Sequence, residues 1–430
     1  MSFSIPKMVK IRQAFDPGHI DDIEQATRDQ ILSLGISLKP GARIAIAVGS
    51  RGITNLDRIV KSTVEAIREM GGDPFIIPAM GSHGGATAEG QRQVLEGYGV
   101  TEEYTGAEIR SSMEVVTMLP GNLGHRVFMD RYAFEADATV VINRVKVHTD
   151  YHGTTESGLL KMCVIGLGKH AMALEIHRYG VYGLKELIPA AARHMLQISN
   201  IIMGIGIVEN AYDQTAIIQA IRAGDLEWEE LKLLDFNRKH MPCLPVDKLD
   251  VLIVDQLGKD ISGVGMDPNI TGRMRIRGQQ EPVRPNVSNI IALELTEGSH
   301  GNALGMGLAD FITRRFFGQI DFEATYENVM TSTFTERGKM PIVAENARQA
   351  MMYALRASGP IDMPDAKIIR IRNTLKLDEI YVSPAVLREI GLDDADGNRG
   401  RLPGIRLIDG LQVIGEMQEM FDGNGDITPF

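Results

Sequence analysis

The chain has 430 residues, 44% apolar and 23% charged, which fits an ordinary globular protein of two or three domains and excludes a disordered chain or a rod. Its 45 basic and 56 acidic residues leave a net charge of -11 with no basic block, so nucleic acid is not expected as a partner. Two cysteines, Cys163 and Cys243, stand in no metal-type spacing and exclude a disulfide scaffold or a zinc ribbon. No apolar run reaches the roughly 18 residues of a membrane span, and the start at Met1 lacks a signal peptide's apolar core, so no membrane partner and a cytoplasmic location are expected.

In chain order, Arg43–Val48 is a short apolar run read as a buried strand. Apolar residues at Ile59, Val60, Val64, Ile67 and Met70 predict a helix over Asn55–Met70, ended by Gly71-Gly72. A second strand at Pro74–Ala79 and a second helix at Ala86–Leu95 follow, then strands at Ala138–Ile142 and Ile201–Val208 and a helix near Asp225–Lys239. The two prolines of Met241–Val246 mark a linker. Beyond it come strands at Leu249–Val254 and Asn289–Leu295, helices at Asp321–Met330 and Ala344–Ala357, and strands at Lys367–Arg372 and Glu379–Val382. This β-α-β order predicts an α/β protein of two domains, residues 1–243 and 244–430, with largely parallel sheets and an active-site cleft between them.

Ligands of open α/β sheets bind at the carboxyl ends of strands, so the loops there carry the chemistry. Gly49–Asn55 follows the first strand and contains Arg51, a candidate bidentate clamp for a carboxylate or a solvated loop arginine. Gly81-Ser82-His83-Gly84 follows the second; it is either an ordinary Gly-rich turn or an anion site beside a helix N-terminus. Neither a dinucleotide fingerprint nor a P-loop follows any predicted strand. Four of the 10 histidines fall close together: His148, His152, His170 and His177. They suit metal binding or acid/base work, or a polar surface. Lys161 stands in the apolar stretch Gly158–Gly168, where it either snorkels or acts as a nucleophilic amine.

Together these residues resemble the nickel-dependent lactate racemase family. The resemblance rests on an ordered set: Ser50-Arg51, then Gly81-Ser82-His83, then His148, then Lys161 with Gly166-Leu167-Gly168 beginning five residues on and His177 sixteen residues on. It implies a nickel pincer nucleotide attached through Lys161, with His177 as the protein ligand of nickel and Gly81, Ser82 and Gly84 on the nucleotide. It implies His83 and His148 as the acid/base pair, and Arg51 on the substrate carboxylate. Asp260 and His300, the latter in the turn Gly298–Gly301, are the second-domain substrate candidates. The implied activity is racemisation or epimerisation of a 2-hydroxy acid by reversible hydride transfer, with cofactor-maturation enzymes as partners.

The sequence departs from the family in three places. Val48 stands where the family has an aspartate, the gap between His148 and Lys161 is longer than the family's by about three residues, and Val264, Gly265 and Pro268 stand where it has its second-domain aromatic and cationic residues. These small residues predict a roomier pocket and a substrate larger than lactate, with Lys259 and Arg273 as the cations available to replace the missing one. Two other readings stand beside this one: a hydrolase or lyase using the same histidines for a simpler metal, and a non-enzymatic carrier or sensor that binds the nucleotide through the Gly-rich turns.

Overall fold

The computed structural model describes residues 5–50, 52–392 and 410–430. The chain divides into two α/β units: Asp16–Met241, and a second made of Met1–Phe15 with Pro242–Phe430.

The chain opens on β1 (Val9–Arg12), which belongs to the second unit. The first unit is built on β2 (Arg43–Val48), β3 (Asp73–Pro78), β6 (Ala138–Arg144), β7 (Ile201–Glu209) and β8 (Thr215–Arg222). Between them β4 (Val115–Met118) and β5 (Val127–Asp130) form a separate antiparallel hairpin. The sheet order is β3-β2-β6-β7-β8, parallel except for the β7–β8 pair. β2 is buried from Ile44 to Val48, as a central parallel strand covered on both faces should be. The helix Leu56–Glu69 buries Leu56, Ile59, Val60, Val64 and Ile67, one stripe at 3.6-residue spacing, against that face. Each fully buried Ile or Leu there stabilises the fold by roughly 1.5–3 kcal/mol.

The second unit continues with β9 (Lys248–Leu257), β10 (Asn286–Leu295), β11 (Phe311–Thr313), β12 (Ile342–Ala344), β13 (Ile368–Ile371), β14 (Glu379–Val382) and β15 (Gln412–Val413). Among the described residues its sheet runs β12-β11-β10-β9-β13-β14-β1-β15. The strands β12 to β13 are parallel, and β14, β1 and β15 add antiparallel partners. Both units are thus α/β with largely parallel sheets.

The expected first domain of residues 1–243 differs from the structure at its start. Val9 pairs with Val382 and Ile11 with Ile380, and Met8, fully buried, packs with Val251 and Ile253. A four-residue strand followed by an exposed connection looks local in sequence, yet its ladder partner lies in the far half of the chain. The sequence reading also omitted the edge strand β8, the β4–β5 hairpin and the helix Ile188–Ile198.

Candidate active site

In the first unit β3, β2 and β6 lie side by side and parallel, so the loops after Pro78, Val48 and Arg144 leave from one sheet edge. Two of these loops touch directly: the Ser50 hydroxyl and His83 Nδ1 share a short hydrogen bond. Arg51, the expected carboxylate clamp, lies outside the described residues. Its neighbours are held by β6 and β7: Arg144 Nη1 donates to the Gly52 carbonyl at 3.0 Å, and Glu209 accepts from the Thr54 N–H at 2.8 Å.

Gly81 has φ +63°, and a Cβ there would lie 2.9 Å from Ile165 Cγ2, so the turn approaches the Lys161 segment as only glycine allows. Ser82 is exposed and His83 half-buried. The turn does not lead straight into a helix N-terminus. A 3₁₀ turn, Gly84–Ala86, intervenes, and the helix Ala88–Gly97 starts after Thr87, whose hydroxyl accepts the Gly90 N–H. Gln91 reaches back from that helix and donates to the carbonyls of Gly81, at 2.8 Å, and His83, at 3.2 Å.

After β6 the chain forms a loop closed by the pair Lys146 and Ser157. His148 is buried, and its backbone N–H donates to Glu156 at 2.6 Å. Glu156 also accepts from Arg238, at 2.6 Å, and sits 3.5 Å from His152. Burial works to raise Glu156, but the bonds from His152, the His148 N–H and Arg238 outweigh it and hold the carboxyl below its usual range. The imidazole of His148 packs on Tyr151 at 4.5 Å between ring centres. Its Nδ1 accepts the Asp150 backbone N–H at 3.0 Å, and its Nε2 lies 2.6 Å from Lys161 Nζ.

Lys161 ends the short helix Leu159–Lys161 and is followed by a π-helical turn, Met162–Gly166, a form often found at functional sites. Glu230 caps the start of this segment from the helix Leu226–His240: its Oε2 accepts the Leu160 N–H at 2.9 Å. Burial pushes the Glu230 carboxyl up to about 7. The helix Lys169–His177 then carries His170 and His177. His170 Nδ1 is buried without a hydrogen-bond partner, whereas the His177 side chain is exposed. The protein crowded round His177 nevertheless lowers its pKa, first by desolvation and second by the positive charge that Lys161 carries whenever it is protonated, against an opposing effect of Asp150. The neutral imidazole is therefore favoured at physiological pH.

Fully buried Lys169, at φ +54°, lies 3.0 Å from Asp130 and also bonds the Pro78 carbonyl. Desolvation lowers the Lys169 pKa and raises that of Asp130. Among the described residues no three His, Cys, Asp or Glu side chains gather as a metal cage.

In the second unit Asp260 and His300 follow β9 and β10, adjacent parallel strands, and their loops meet. Asp260 accepts from the Thr296 hydroxyl, and Lys259 donates its N–H to Ser299 at 2.8 Å. His300 is exposed at φ +47°. The expected room near Val264, Gly265 and Pro268 is not there. Val264 and Pro268 are buried, and a Cβ on Gly265 would lie 2.6 Å from Leu257 Cδ2 and 2.7 Å from the Leu304 carbonyl. Small residues here admit core packing. Arg273 is likewise buried in an ion pair with Asp310, and Lys259 Nζ donates to the Gly263 carbonyl at 2.6 Å.

Gln91, Glu156, Lys169 and Glu230 thus organise the site without having been singled out in sequence, and Ser50 was named there only as part of Ser50-Arg51. Only Ser50 carried a signal, as the neighbour of Arg51 in a strand-end turn.

No family model matches the chain, and no curated relative reaches a significant match. Among solved structures, the lactate racemase apoprotein from Thermoanaerobacterium thermosaccharolyticum is similar with a TM-score of 0.50 and 11% identity, over 86% of this chain and 98% of that one. That is a likeness of fold. Among the described residues no helix is long and apolar enough to cross a membrane.

Proposed function

We propose that the chain is a racemase or epimerase acting at C2 of a 2-hydroxy acid, with a nickel pincer nucleotide attached through Lys161. The observation that carries this reading is the meeting of Lys161 with His148 at 2.6 Å, beside the turn of His83, on a fold like that of a lactate racemase.

The residues present fit such a group. Lys161 supplies an amine for covalent attachment, and exposed His177, its pKa lowered chiefly by desolvation, supplies a neutral nitrogen for nickel(II). The strand-end turn of Gly81, Ser82 and Gly84 offers backbone to a nucleotide. When bound, the group supplies reversible uptake and return of hydride at C2. The chain's own residues handle the proton. His83, oriented by Ser50, and His148, oriented by the Asp150 N–H, serve as the two acid/base groups that inversion requires, one for each position of the hydroxyl. Arg51 holds the carboxylate. Cofactor-maturation enzymes are the partners this chemistry calls for, and the cytoplasm is its place.

The test is protein produced together with such maturation enzymes. Expected are a mass adduct on Lys161, nickel in the same preparation, and racemisation of at least one member of a 2-hydroxy acid panel. Lys161→Ala abolishes the adduct and retains the fold. Nickel binding with no adduct on Lys161 favours the simple-metal hydrolase or lyase, and an adduct with no turnover of any hydroxy acid favours the carrier or sensor.

A further inference from the structure

We infer that His148 holds Lys161 as an uncharged amine, poised to act as a nucleophile, through a tautomer fixed by the backbone. A neutral imidazole carries a single N–H. The Asp150 backbone N–H donates to His148 Nδ1 at 3.0 Å, so Nδ1 presents a lone pair and the ring proton sits on Nε2. Nε2 lies 2.6 Å from Lys161 Nζ. An Nε2–H needs a lone pair opposite it; an amine has one and an ammonium has none. An ammonium donating to Nε2 would require both ring nitrogens bare, an imidazolate. An imidazolium would set a second N–H at Nδ1 against the backbone donor already there.

The surroundings agree. Lys161 is half-buried between buried Leu160 and Met162, where desolvation disfavours the ammonium. Among the titratable groups described near the pair are Asp150, Tyr151, Glu156, His177 and Glu230. The Asp150 carboxylate stands 3.8 Å from Nδ1, farther than the backbone N–H. The Tyr151 ring faces the imidazole, and Glu156 accepts the His148 N–H. His177 is close enough to feel the charge state of Lys161, and Glu230 accepts the Leu160 N–H.

Such an amine reacts with an activated acyl or thioacyl donor directly. The Nζ–C bond forms, the bond from carbon to the leaving group breaks with its electron pair, and the leaving group departs with the proton that Nζ loses. The product nitrogen delocalises its lone pair and no longer accepts, so His148 Nε2–H is released as a proton donor. Loading the lysine thereby frees the acid/base histidine. This last consequence rests on the function proposed above, whereas the charge state of the amine does not.

The test uses apoprotein and the N-hydroxysuccinimide ester of acetic acid in limiting amount, from about pH 6.5 to about pH 9, with acetylation of each lysine read by peptide mass spectrometry. Exposed Lys39 and Lys185 are internal references. Their labelling rises about tenfold per pH unit, as for any ammonium well below its pKa. Labelling of Lys161 stays within about twofold across the range, because its amine is already uncharged. Limited access scales every point alike and leaves the shape intact. His148→Phe, checked for folding by circular dichroism, restores the tenfold rise at Lys161. A tenfold rise per unit at Lys161 in the unaltered protein overturns the inference. A flat profile in a protein that never gains an adduct on Lys161 overturns the proposed function and leaves this inference standing.

Discussion

Glu230 lies one residue along from Lys161 through the Leu160 N–H, and its burial gives it a measurable signature. Its folded pKa of about 7 lies above the ordinary 4.5, so the folded state holds the proton more tightly than the unfolded chain. The stability from that proton is fully present below about pH 4.5 and is lost as pH rises through about 7, a loss on the order of 3 kcal/mol. Glu230→Gln keeps an acceptor for Leu160 and removes the titration. Urea unfolding at acid and at mildly alkaline pH is expected to show this share of the pH dependence gone in the variant. At His177 the expectation concerns metal: His177→Ala lowers nickel content at least tenfold while the adduct on Lys161 survives, read by elemental analysis beside intact mass. Unchanged nickel would move the ligand role to His170, whose Nδ1 is buried without a partner. Lys161 and His177 could be singled out in the sequence because their spacing runs along one continuous segment. Glu230 was not, since a glutamate within Leu226–His240 looks solvated until the helix is packed against Gly158.

At the scale of elements, the site depends on how the π-helical turn meets the strand-end turns. Gly81 touches Ile165, and Gln91, between the Gly81 carbonyl and the buried Lys169 ammonium, ties the His83 turn to the segment that carries Lys161 and His177. Gly81→Ala forces a side chain into a left-handed backbone against Ile165 and is expected to cost about 1–3 kcal/mol. Lys169→Met leaves Asp130 buried without its cation and is expected to cost about 3–5 kcal/mol, seen as a lowered Tm at neutral pH. The parallel strands were legible because burial on both faces writes them as continuous apolar runs such as Arg43–Val48. The two π-helical turns, Met162–Gly166 and Gly183–Leu187, were not, because a one-residue insertion in a helix leaves the apolar pattern almost unchanged. The pocket reading at Gly265 failed for a related reason: a small residue in sequence marks close approach, and whether core or ligand approaches is decided by the packing.

For the molecule as a whole, the informative strand is the first. β1 is only four residues long, yet it lies between β14 and β15 and so completes a sheet assembled mainly from residues after Pro242. No local pattern announces this, because the partner's register is set some 370 residues away: Val9 meets Val382 and Arg12 meets Glu379. Met8 and Ile11 are fully buried and Val9 nearly so, and each such side chain contributes roughly 1.5–3 kcal/mol. Removing residues 1–12 therefore takes away three core side chains and two ladders, and strips β14 and β15 each of a neighbour. Hydrogen exchange is expected to show β13 and β14 losing protection by several orders of magnitude in the truncated chain. The amides of β2, β3 and β6, which share no sheet with β1, are expected to keep theirs, and so is the acetylation profile of Lys161. Equal loss of protection in both sheets would mean that the two units unfold as one.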